Sequence, residues 1–338
     1  MIIYAKRMIE EVYGNLQYDT KCHGLVQTNA EYVYGDTDSV FFTFNLTDPR
    51  TDEKIVGKKA LEITIEIAQD AAHLCSQWLK PPMELSYEKT LMPFILLSKK
   101  RYVGKLYETD ANKGKMKYMG LSIKRRDSCD YLKDTYGGVL DILMEEHDIE
   151  KSIHYLNSSL DNLIQGNVPM DKLTITKALR SDYKNPQQIA HKVLADRIAQ
   201  RDPGNKPKPG DRMRFVHIVN DTKKSLQGEK IETPEFIIEN KMKIDYTFYI
   251  TNQLMKPLQQ LFGLALEEIF RIRNKDKCID TYRKDVVKLQ CDFPDLEIFM
   301  KKKEKYCSSK IKGLLFDDFL TKIFNEKHGI QMISKFFK

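Results

Sequence analysis

The chain has 338 residues, 41% of them apolar, which is enough for two domains or one large one and excludes global disorder. Its 55 basic and 48 acidic residues leave a net charge of +7, which permits a polyanionic partner without requiring one. Six cysteines, with no C-x-x-C pair and no closely spaced histidine pair beside them, exclude a zinc ribbon or finger and suit reduced thiols in an intracellular compartment.

In chain order, residues 2–13 place Ile2, Ala5, Met8, Ile9 and Val12 on one helical face, and Gly14 marks a stop. This opening stretch has neither the apolar run nor the cleavage site of a signal peptide, and no capping residue precedes the helix. The stretch 32–44, YVYGDTDSVFFTF, predicts strand, tight turn and strand, with Gly35 expected to supply the special backbone angle. Residues 57–80 predict a long helix with Leu61, Ile65, Ala68, Ala72, Cys75 and Leu79 as its stripe, ended by Pro81 and Pro82. SYEKTLMPFILLSKKRYVGKLYE and KMKYMGLSIKRRD predict strands of an antiparallel sheet, with a turn at 110–114 between them.

From Ser128 onward the pattern becomes helical: 129–144, then 149–165 with Asp148 as N-cap and Gly166 just past the end. Pro186 is expected to open a helix running through Gln200, DPGNKPKPGDR to be an exposed loop, and FVHIVN a short strand. Residues 244–270 read as helical, interrupted by Pro257. No apolar run reaches the ~20 residues that span a bilayer, so no membrane partner is expected. A domain boundary is expected near 127, where strands give way to helices.

Asp36 and Asp38 are the chemically pointed pair. In an extended segment they would share one face while Thr37 points away. Two close carboxylates repel unless a cation lies between them. Mg²⁺ favours such oxygen ligands, and two ions about 4 Å apart can clamp the attacking and leaving oxygens of an in-line phosphoryl displacement. The alternative is an Asx-type turn, in which the carboxylates only cap backbone N–H groups.

Residues 34–41, YGDTDSVF, resemble the third polymerase motif of family B DNA polymerases. SKKRYVGKLYE resembles that family's K-K-R/K-Y segment, and GLSIKRRD its element at the end of the palm. LTITKALRSDY, PGDRMRFVHIV and KIDYTFYITNQLMKPLQQLF resemble its thumb, in the correct order. The resemblance covers roughly residues 1–270 and is similar in character to the polymerases of large eukaryotic DNA viruses, and more distantly to eukaryotic replicative enzymes.

The resemblance implies an α+β fold: the C-terminal portion of a palm (1–127), an antiparallel sheet with helices on one face, then a mostly helical thumb (128–270), with 271–338 as thumb continuation or tail. It implies that Asp36 and Asp38 bind two catalytic Mg²⁺ ions, with Asp38 bridging. Lys99, Lys100, Arg101 and Tyr102 would lie along the minor groove and primer terminus, and Lys124, Arg125 and Arg126 along the duplex backbone. Glu88 is either a further approach to the metals or a surface residue, and Lys113, Lys115 and Lys117 read as solvated surface charges. The implied partners are primer–template DNA and deoxynucleotides, and the implied place is the host nucleus or a viral replication site.

The family's D-x-x-S-L-Y-P-S and K-x-x-x-N-S-x-Y-G patterns do not occur in this sequence. The expectation is therefore half of a metal site in a chain that starts where the fingers end: a gene fragment, a truncated reading frame, or one half of a split enzyme that pairs with an N-terminal polymerase chain. The rival expectation is a DNA-binding module without catalysis, against which the intact aspartate pair counts. At the other end, Ile333, Phe336 and Phe337 resemble a clamp-binding peptide with its usual leading glutamine replaced by Ile330; an amphipathic tail is the other reading.

Overall fold

Helix α1 (Ile2–Tyr13) buries Ala5, Ile9 and Tyr13. Tyr13 therefore takes the core place expected of Val12, which turns outward, because Tyr13 meets Phe44 edge-on at 5.8 Å. The computed structural model describes residues 2–220, 222 and 226–330, so Ile333, Phe336 and Phe337 lie outside the described residues. The chain divides into two units at the Gly120–Leu121 junction.

In the first unit, α1 is followed by a hairpin of β1 (Leu16–Thr20) and β2 (Gly24–Thr28), which the sequence pattern did not announce. A second hairpin joins β3 (Glu31–Asp36) to β4 (Ser39–Thr43). The long helix α2 (Gly57–Trp78) follows as predicted, but it is buried on two sides. Ile63, Ile67, Ala71 and Cys75 pack with Ile9, Tyr13, Val26 and Phe44, while Leu61 and Ile65 pack with Tyr107. Each fully buried isoleucine here contributes about 1.5–3 kcal/mol. An antiparallel sheet of β5 (Thr90–Ser98), β6 (Arg101–Tyr107) and β7 (Lys115–Met119) completes the unit. The expected strand through GLSIKRRD is not formed. The chain turns at Gly120, at φ 64°, and Ser122–Lys124 form a short 3₁₀ turn.

In the second unit, α3 (Asp130–Glu145) packs on α4 (Ile149–Ile164). Tyr136, Val139 and Leu140 of one and Leu156, Leu160 and Leu163 of the other are fully buried. Asp148 caps α4 by accepting the Lys151 N–H at 2.8 Å, and Gly166 follows the helix at φ 76°. After α5 (Met170–Leu173) comes a small antiparallel sheet in which β9 (Arg212–His217) lies between β8 (Ile175–Ala178) and β10 (Ile231–Glu232). Pro186 opens a 3₁₀ turn at Pro186–Gln188, and α6 itself runs Ala190–Arg201.

Helices α7 (Pro234–Glu239), α8 (Tyr246–Phe248), α9 (Met255–Phe262), α10 (Leu266–Ile272), α11 (Lys277–Asp292), α12 (Leu296–Leu315) and α13 (Asp317–His328) follow. Pro257 lies inside α9 and does not interrupt it. The expected helix is instead irregular at a π-helical turn, Tyr249–Leu254, one turn earlier, which absorbs the backbone bond that a proline cannot donate, and at a 3₁₀ turn, Gly263–Ala265, after α9. Helices and small antiparallel sheets thus make the α+β class that was expected.

Candidate active site at two meeting hairpin turns

The turn of the β3–β4 hairpin is two residues long, since Asp36 pairs with Ser39. Thr37 sits at φ 57°, and the Asp38 N–H reaches back to the Asp36 carbonyl at 2.6 Å, an i→i+2 closure of γ-turn type. Gly35 is not the residue with the special angle. Its role is room: a Cβ there would lie 2.5 Å from the Tyr32 hydroxyl and 3.0 Å from the Ser39 carbonyl oxygen. Nor does Thr37 point away from its neighbour, because its hydroxyl donates to Asp36 Oδ1 at 3.1 Å. The strand alternation that put Thr37 opposite the acids ends at the left-handed turn.

The β5–β6 hairpin also has a two-residue turn, Lys99 and Lys100, because Ser98 pairs with Arg101. Lys100 takes φ 64°. These two turns meet. The Lys100 ammonium lies 3.4 Å from Asp36 Oδ1, and the Lys100 backbone N–H donates to the Tyr34 hydroxyl at 2.8 Å. Beneath them four rings lock the hairpins together. Phe41 stacks on Phe94 at 5.9 Å and meets Tyr102 edge-on at 5.7 Å, and Tyr34 tilts against Phe41 at 5.6 Å. Each such pair adds about 0.5–1.5 kcal/mol beyond burial.

The Lys100 side chain is 70% exposed and that of Asp36 33%, so this ion pair contributes no more than about 1 kcal/mol. It is a tether that water or another cation can replace. Tyr102 is buried, and its hydroxyl is pushed upward by that burial; Lys89 opposes the shift, while Glu88, Tyr34 and Asp36 add to it. A cleft of about 790 Å³ opens beside β4, with Asp38, Phe41, Glu88, Lys89 and Phe94 among its walls. Glu88 is paired to Lys89 and is itself largely exposed.

The donor set suits a hard cation. Asp36 already attracts a positive group, Asp38 presents an exposed carboxylate on the cleft wall, and both offer only oxygen. It is not a complete cage: among the described residues no group of three or more His, Cys, Asp or Glu is placed to hold a metal.

Of the residues singled out in the sequence, the structure brings together Asp36, Lys100 and Tyr102, with Asp38, Lys99 and Arg101 on the same two turns. Lys124, Arg125 and Arg126 belong to the second unit and are exposed. Arg125 is engaged there with Asp127 through two contacts of 2.9 Å, which lower the Asp127 carboxyl below its usual range. Lys113, Lys115 and Lys117 are exposed, as surface charges should be. Tyr34 and Phe41 are the two ends of the YGDTDSVF motif and Phe94 lies in the strand before the basic turn, but nothing in the sequence assigns these rings to the joint between the two turns.

The sequence model of DNA polymerase family B matches residues 1–264. The chain belongs to this family. It is 43% identical to the DNA polymerase of Pyramimonas orientalis virus over 340 residues, an alignment covering 100% of this chain and 26% of the viral protein. It is 46% identical to the DNA polymerase of Acanthamoeba polyphaga mimivirus over 242 residues, covering 70% of this chain and 14% of that one. It is 35% identical to the DNA polymerase delta catalytic subunit of Candida albicans over 268 residues, covering 78% and 24%. The chain thus spans about a quarter, or less, of the length of these family B relatives. Among the described residues no helix is long and apolar enough to cross a membrane.

Proposed function

We propose that this chain is the part of a DNA-directed DNA polymerase that carries the YGDTDS turn, the primer-gripping hairpin and the thumb. Residues 1–127 would be the palm portion, 128–270 the thumb, and 271–338 its continuation or a tail. The observation that carries this reading is the meeting of the acidic turn with the Lys99–Lys100 turn, in a chain of family B.

Asp36 and Asp38 would hold divalent cations, which would supply charge neutralisation for an in-line displacement in which a primer 3′-oxygen bonds to the α-phosphate of a deoxynucleoside triphosphate and pyrophosphate leaves. Lys99, Lys100, Arg101 and Tyr102 would hold the primer end, and Lys124, Arg125 and Arg126 the duplex backbone. Arg125 would have to exchange Asp127 for a phosphate to do so. Two carboxylates are too few to orient two ions, so nucleotide incorporation would require a further aspartate and the nucleotide-holding lysine and tyrosine from sequence outside this chain. Ile333, Phe336 and Phe337 are proposed, on sequence alone, as a clamp-binding peptide. A pull-down unchanged by Phe336→Ala with Phe337→Ala would end that idea.

Two measurements test the main reading. Labelled primer–template DNA titrated with the chain should give binding whose logarithm falls linearly with the logarithm of salt concentration. Absence of duplex binding at low salt would overturn the reading. Primer extension by the chain alone should stay at background. Incorporation that vanishes in Asp38→Ala would refute the incompleteness while leaving the polymerase assignment intact.

A further inference from the structure

We infer that Tyr34 is a positioning residue whose hydroxyl fixes the Lys99–Lys100 turn over the acidic turn and so sets where the Lys100 ammonium is presented. The inference rests on the DNA-polymerase reading above and adds to it a residue that acts through the placement of Lys100.

At the tip of a two-residue hairpin turn the backbone N–H groups ordinarily face solvent. Here the Lys100 N–H is instead taken by a side chain from another hairpin, at 2.8 Å. The Lys100 backbone is left-handed, as the closure of a two-residue hairpin turn commonly requires. Two groups hold the turn in place. The Tyr34 hydroxyl holds the amide from one side, and Gly120 backs onto the Lys100 carbonyl oxygen from the other, so closely that a Cβ would collide with it. The ring that carries the hydroxyl is itself held against Phe41, which stacks on Phe94. The Lys100–Asp36 ion pair is too exposed to fix this geometry. The neutral hydroxyl–amide bond, on a ring packed against Phe41, is the part that can.

The test is a double-mutant cycle on the full chain, read by fluorescence anisotropy of a labelled primer–template duplex over a salt series. Tyr34→Phe keeps the ring and removes the oxygen. Lys100→Ala should weaken binding and lower the salt slope by about one. Tyr34→Phe should weaken binding about two- to tenfold, the equivalent of one net hydrogen bond. In the Lys100→Ala background the same change should have almost no effect, because the cation whose place it set is gone. An equal loss in both backgrounds would mean a general structural role and would overturn the inference, as would no loss in either. Lys100→Ala binding like the unsubstituted chain would fail the DNA-gripping role of this turn itself, and the inference with it.

Discussion

Thr37 and Lys100 occupy the tips of two hairpins that meet, and each holds left-handed backbone, at φ 57° and 64°. For a side chain with a Cβ this costs about 1–2 kcal/mol, and for a β-branched threonine it is a marked outlier. Glycine would relieve the cost at either tip. That the chain carries a hydroxyl at one and an ammonium at the other marks both as positions where side-chain chemistry outweighs backbone comfort.

Lys100→Gly separates the two. Relief of the left-handed strain and the extra freedom of glycine in the unfolded chain nearly cancel, so stability in urea should change by less than about 1 kcal/mol. Duplex binding should nevertheless weaken, with a shallower salt dependence. A large loss of stability alongside the loss of binding would contradict the weak ion pair described here.

Gly120→Ala acts on the same turn from behind. It forces a Cβ into a left-handed position and into the Lys100 carbonyl oxygen. A destabilisation of about 1–3 kcal/mol is expected from urea unfolding, with duplex binding reduced in the fraction that stays folded.

Glu232→Ala probes the second unit. This carboxylate is 2% exposed; Arg201 Nη2 lies 2.9 Å and Arg197 Nη2 3.4 Å from its Oε2, and the Arg201 guanidinium covers the Phe236 ring. Removing one member of a buried pair leaves charge uncompensated. Because Arg201 is partly open to water, the expected cost is about 2–4 kcal/mol, at the lower side of the range for fully buried pairs. Thermal or urea unfolding of the variant measures it.

His217 makes the chain acid-sensitive. Burial lowers its imidazole from 6.5 to about 3, and Lys177 and Lys230 push the same way. Its ring stacks on Phe248 at 3.3 Å, with Tyr249 edge-on beside it. The folded state keeps the ring neutral, whereas the unfolded chain takes up a proton as pH drops through the ordinary histidine range. The stabilisation is whole above pH 6.5 and is lost as pH falls toward 3, with about 2 kcal/mol gone between pH 7 and pH 5. His217→Phe should flatten that part of the stability profile; an unchanged slope would assign it to other groups.

The sequence was most legible where a residue acts on its own neighbourhood. Asp148 capping the Lys151 N–H is a local event, and so is the part of the α2 stripe through Leu61, Ile65, Ala72 and Cys75, whereas Ile63, Ile67 and Ala71 on its second buried side lay outside the expected stripe. It was least legible where support comes from far along the chain. The β1–β2 hairpin has modest strand character, and its anchors are the Tyr18 hydroxyl on Asp70, the Lys21 N–H on Glu66 and His23 on Glu62, a row of acids along α2. Gly35 misled because glycine usually signals a special angle, whereas here it clears space for Tyr32. Pro257 misled because the adjustment it requires is made one turn upstream. The acidic and basic turns were each readable as motifs. Their junction was not, since Tyr34 binds an amide that every residue possesses.

That junction also supplies its own spectroscopic probe. An amide proton at an exposed turn ordinarily exchanges with solvent deuterium almost at once, but the Lys100 amide is held by Tyr34. Its exchange rate therefore reports directly on how often the two hairpins part. One backbone resonance, followed through a titration with DNA or Mg²⁺, would show whether engagement tightens the joint or springs it open.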